Sequence, residues 1–208
     1  SRVKNRMPPI SRQSTFAGDT SFGEAAPFDG NVGTNWLDFR KRWYDRWLRD
    51  EPNGLEADPT LRLFLMGGGS GERDADGRLI QGGRWIQTSH WPLPDTDQQD
   101  WYIHGNGRLS RDAPAVDAAP LTYDFDPADP VPTIGGALTS GQPIFEGGGF
   151  DQREGPRFFG SRDAGMPLIA RRDVLAFESL PLEEDMAVIG PITVELWVAS
   201  DAPDTDFT

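Results

Sequence analysis

The sequence contains no cysteine. Disulfides, thiolate metal sites and a cysteine nucleophile are therefore excluded. A chain without cysteine suits the cytoplasm, which fits slightly better, but many bacterial secreted proteins share the trait. Positive charge is also short: 20 Lys and Arg stand against 33 Asp and Glu, a net charge of −13. Nucleic acid and anionic membranes both require a basic patch, so neither is an expected partner. No apolar run approaches the roughly 18 residues needed to span a bilayer. Histidine is scarce, with two in the chain. Neither an H-E-x-x-H pattern nor a paired set for zinc is present. Glycine and proline, in contrast, are plentiful at 24 and 18 of 208 residues, alongside 7 Trp and 12 Phe. That mixture favours turn-rich β structure over disorder. The length suits one domain and part of another.

Residues 123–136, YDFDPADPVPTIGG, interleave Asp124, Asp126 and Asp129 with Pro127, Pro130 and Pro132. Proline fixes φ and removes a donor, so this run is neither helix interior nor central strand. It reads as a stiff extended loop, long enough to signal function or an interface. The structural reading has Asp126 and Asp129 capping backbone N–H groups or pairing with Arg153, Arg171 or Arg172. It is preferred over a metal role, and it extends to Asp124.

Residues 36–49 form the one convincing helix. Trp36, Phe39, Trp43 and Trp47 recur at spacings of three and four, and Leu37, Tyr44 and Leu48 widen the stripe. Asp38, Arg40, Lys41, Arg42, Asp45, Arg46 and Arg49 fill the other face. Asn35 or Thr34 is the expected N-cap, with the stop at Pro52 and Gly54. A stripe this wide is expected to pack into a core. Residues 61–66, LRLFLM, read as a short buried strand. The glycine run at 67–71 follows without the Walker Lys-Ser/Thr, so it is no phosphate cradle. Asp74 and Asp76 lack the further ligands of a calcium loop, and a hairpin turn with Asp76-Gly77 at its tip is expected instead. Residues 173–179 and 192–200 alternate as strands. Four or five strands after residue 80 fall short of the seven or so that close a sandwich.

No serine carries glycines in the G-x-S-x-G spacing; Ser70 comes closest, with Gly68 before it and Glu72 where the second glycine belongs. No carboxylate pair is singled out for glycoside chemistry. His90 and His104 are read as packing residues rather than catalysts.

The proline–aspartate run, the DQR at 151–153 and the stretch RRDVLAFESLPLEEDMAVIGPITVELWVASDAPDTDFT closely resemble the C-terminal half of the CocE/NonD serine hydrolases. That family comprises cocaine-esterase-like enzymes, X-Pro dipeptidyl-peptidases and acylases. GDTSFG, RWYDRWL, LFLMGGG and the Trp-Pro of HWPLP resemble the segment joining its two domains. The resemblance implies a mixed fold. Residues 1–80 would be the helix–strand end of an α/β-hydrolase domain, and residues 81–208 an incomplete X-Pro dipeptidyl-peptidase-type β jelly roll. In this family the serine nucleophile and the aspartate lie well before the GDxxFG stretch, and the histidine sits in a G-P-W-x-H motif shortly before it. No catalytic, cofactor or metal residue is therefore expected in this chain. Asp124, Asp126, Asp129, Arg153, Trp43 and Trp47 are implied as structural residues at the domain junction. The implied partners are the rest of the hydrolase domain and a small ester, amide or peptide substrate, with a homo-oligomer left open. The alternative is a non-catalytic β-sandwich module that binds carbohydrate or protein.

Overall fold

A computed structural model of the chain describes residues 14–28, 35–136, 147–162 and 165–205. The basic opening of the chain, Thr34 and the last residues of DAPDTDFT lie outside the described residues.

Helix α1 covers Trp36–Arg49, as the apolar spacing predicts. Asn35 is its N-cap, its side-chain oxygen accepting from the N–H groups of Leu37 and Asp38 at 3.0 Å each. The helix ends at Asp50, which adopts the left-handed conformation at φ 55°, two residues before the expected proline stop. None of its residues is buried. Trp36 and Phe39 meet Phe28 edge-on at 5.5 and 5.6 Å. Phe28 in turn meets Trp85 at 5.6 Å, and Trp85 meets Phe64 at 5.5 Å. The start of the helix is thus fastened by a chain of aromatic edges, a geometry that the ring quadrupoles favour. Its later aromatic residues are not covered.

The strands are short. β1 (Phe16–Ala17) pairs antiparallel with β2 (Thr20–Ser21). β3 (Leu61–Met66) pairs antiparallel with β5 (Gly83–Thr88), in register from Leu61↔Thr88 to Met66↔Gly83. Between them, β4 (Leu79–Ile80) runs parallel to β2. The glycine run returns the chain, with Gly67 N–H donating to Gly82 O and Ser70 N–H to Ile80 O, both at 3.2 Å. The turn at Asp74–Arg78 follows, with Gly77 at φ 80°. β6 (Tyr102–Ile103) and β7 (Leu109–Ser110) form a hairpin.

Residues 16–21 also reach across the boundary that the sequence draws at residue 80. Gly18 bridges Gly149, and the Asp19 N–H donates to Gly149 O at 2.8 Å. The Asp19 carboxylate accepts from Arg157 Nη1 at 3.0 and 3.1 Å. Gly18 stands at φ 62°, and a Cβ there would lie 2.5 Å from the Gly149 carbonyl, so glycine is required at this crossing.

Two expected strands do not form. Residues 173–179 contribute one bridge, Arg108↔Glu178, and residues 192–200 join no ladder. The alternation is real: Ile192, Val194, Leu196 and Val198 all carry exposed apolar side chains, Ile192 at 78%. Alternation supplies only the side chains of a strand, however. The backbone also needs a neighbour to bond, and no described residue offers one here. The described architecture is therefore a set of small sheets with one helix, not a closed sandwich. Its buried apolar side chains are Leu55, Ile134 and Leu168.

Candidate functional site

The proline–aspartate loop turns tightly at residues 126–129. Asp126 O accepts from Asp129 N–H, and Asp126 Oδ1 accepts from Ala128 N–H, both at 2.9 Å. Aspartate first and proline second is the composition a type I turn selects. Asp129 leaves this turn facing two arginines. Its Oδ1 lies 3.2 Å from Arg162 Nη1, and its Oδ2 lies 3.5 Å from Arg171 Nη1. Arg171 Nη2 also donates to Asp129 O at 2.6 Å, and Arg162 Nη2 donates to Ala128 O.

Arg171 is the hub of this cluster. It grips Asp173 with two parallel bonds, Nε to Oδ1 at 2.8 Å and Nη2 to Oδ2 at 2.7 Å. Its Nη1 stands 3.9 Å from Glu154 Oε1. Glu154 is 4% exposed, and its Oε2 accepts from the Arg162 N–H at 2.6 Å. The hydrogen bond from Arg171 holds the Asp173 carboxyl below its ordinary range, and Asp173 raises Arg171 in return. Every charge here is met by an opposite charge or a backbone dipole. The arrangement stiffens a loop and leaves no group poised for chemistry.

The sequence-selected residues are thus only partly brought together. Asp129 joins this cluster through Arg162 and Arg171, and Asp126 adjoins it by holding the turn that presents Asp129. Arg162 and Glu154 complete it without a local sequence signal. Asp124 is exposed and pairs with no cation among the described residues. Arg153 turns instead to Asp151, 3.3 Å away, and donates to Gly165 O at 3.1 Å. Its neighbour Gln152 donates to Ile134 O at 3.1 Å, which ties the end of the loop to the DQR segment.

One pair superficially resembles a nucleophile and base. His104 Nε2 lies 2.9 Å from the buried Ser110 hydroxyl. The same nitrogen lies 3.1 Å from the Asp112 carbonyl, which can only accept. The Ser110 hydroxyl also lies 3.4 Å from that carbonyl, so imidazole and hydroxyl are both tied to the Asp112 backbone. The hydroxyl meanwhile accepts from the Asp112 N–H at 3.2 Å, closing a local turn. Among the described residues, no group of three or more His, Asp or Glu could hold a metal ion. Asp74 spends Oδ1 on the N–H groups of Arg78 and Asp76, at 2.8 and 3.0 Å. Those backbone bonds, the one from Arg78 foremost, lower its pKa.

The outer face of α1 is the other feature. Trp43 is 45% exposed and Trp47 54% exposed, so the expectation of a core-packed stripe holds only for the first turn. Trp36, Phe39, Arg40, Trp43 and Tyr44 line a cleft of about 270 Å³. Arg40 belongs to this face, not to the opposite one. Its guanidinium lies 5.9 Å from the ring centres of both Trp36 and Tyr44. Four residues separate it from each, which is the spacing of one helix face and was readable in the sequence.

The described residues thus define a structural module, rich in small sheets and without a catalytic constellation of its own. The family described as the X-Pro dipeptidyl-peptidase C-terminal non-catalytic domain matches residues 53–208. The chain is also 33% identical over 202 residues to the cocaine esterase of Rhodococcus sp. (strain MB1 Bresler), covering 91% of this chain and 29% of that protein. The chain belongs to the CocE/NonD family, as a C-terminal portion carrying that non-catalytic domain. It spans less than a third of the length of its relative. No solved structure matches it.

Proposed function

We propose that this chain is the accessory portion of a serine hydrolase that cleaves small esters, amides or X-Pro peptides. A Ser-His-Asp triad lying outside these residues carries the reaction. There a serine attacks the carbonyl, a histidine moves the proton and backbone N–H groups hold the oxyanion. The observation that carries this reading is the family match over residues 53–208, to a domain described as non-catalytic. The relative is a cocaine esterase, which supports the ester class. The satisfied Arg171 cluster and the tying of His104 and Ser110 to the Asp112 backbone fit the same division of labour.

In this reading residues 1–80 close the edge of the hydrolase sheet, and residues 81–208 build a jelly roll against it. The proline–aspartate loop, held by Arg162 and Arg171, braces the second part. Trp43 and Trp47 face the rest of the hydrolase domain. The test is turnover of p-nitrophenyl butyrate and Ala-Pro-p-nitroanilide by the intact gene product. Hydrolysis of either is expected. An intact polypeptide near 23.0 kDa that turns over neither contradicts the enzyme reading.

A further inference from the structure

Arg40 is the one cation lining the cleft on the aromatic face of α1. Every other cation on the helix has a carboxylate. Lys41 meets Asp45 at 2.5 Å, and Arg42 meets Asp58 at 2.8 Å. Arg46 meets Asp50 and Glu56, and Arg49 meets Asp45 and Glu51. Arg40 meets none among the described residues and rests only on the Trp36 and Tyr44 rings. The nearby acids are already engaged: Asp38 accepts from Asn35, and Asp58 is shared by Arg42 and Arg62.

Beside Arg40, Trp43 and Tyr44 are exposed and Trp36 and Phe39 half-buried, so this face needs an apolar cover. Whatever covers them also takes the guanidinium out of water. A cation buried that way is strongly unfavourable unless a carboxylate comes to meet it. We propose that this face docks on the catalytic portion of the parent polypeptide, through an apolar patch that seats an Asp or Glu carboxylate on Arg40 in the 270 Å³ cleft. The proposal rests on the hydrolase reading above and names the chemistry of the partner surface.

Two observations favour that occupant over a second copy of this chain. The relative has most of its length outside the match, since the chain covers 29% of it. A two-fold contact would set α1 against α1 and bring Arg40 to Arg40, and the helix's own acids, Asp38 and Asp45, are already engaged.

The test places p-benzoylphenylalanine at position 43 of the intact protein and maps the photo-cross-links by peptide mass spectrometry. Thermal melts of Arg40→Met and Arg40→Lys accompany it. Cross-links to residues outside these 208, within a few positions of an Asp or Glu, are expected. Arg40→Met should lower Tm by at least about 5 °C, because the partner carboxylate is left unpaired, and Arg40→Lys should lower it less. Cross-links within this chain or to a second copy, or an Arg40→Met melt unchanged or raised, overturn the proposal. Fluorophosphonate labelling of the same sample reads the hydrolase assignment separately. Label without the outside cross-link defeats the docking, whereas the cross-link without label defeats the hydrolase reading.

Discussion

Arg171 shows how much one side chain can organise. It holds Asp173 by two bonds, reaches the Asp129 carbonyl at 2.6 Å and lies beside the buried Glu154. Both Arg171 and Asp173 are mostly shielded from solvent, at 13% and 10% side-chain exposure. Breaking such a pair costs more than breaking a surface one. Asp173→Asn should destabilise the intact protein at pH 7 by about 2 kcal/mol. The hydrogen bond from Arg171 depresses the folded pKa of Asp173. Its contribution is therefore fully present above the unfolded value of roughly 3.9 and is lost as pH falls through the folded value. The Tm gap between wild type and Asp173→Asn should be full at pH 7 and shrink below about pH 4. A gap that widens in acid would refute the pairing. The sequence offered three arginines as partners for the loop aspartates. Choosing among them needs the fold, because Asp129 and Arg171 are 42 positions apart and no local pattern joins them.

At the level of elements, local signals were legible and long-range ones were not. Spacing of three and four located α1 to the residue, and a short apolar run located β3. Both elements are specified by residues within a few positions of one another. Residues 192–200 carry an equally clear period of two and form no ladder, because a strand is completed by another strand's backbone. The proline–aspartate loop lies between these cases. Its stiffness was readable from its prolines, but its anchoring by Arg162 and Arg171 was not. Asp126 supports the turn through two bonds, one from its side chain. Asp126→Ala should lower the Tm of the intact protein by a few degrees while leaving fluorophosphonate labelling in place. A folded Asp126→Ala protein that takes no label would move the loop into the active site.

The whole molecule carries the same message in its surface. Among the described residues, large apolar side chains stand exposed along α1 and through residues 186–198, Trp197 at 96%. Surfaces of that kind mark an interface. On the proposed reading, this chain gives support and bond cleavage belongs to residues outside it. The direct test is to label the intact gene product with a fluorophosphonate probe and map the modified serine by peptide mass spectrometry. A single labelled serine outside the 208 residues is expected. Label on Ser110, or on any other serine of this chain, would contradict it.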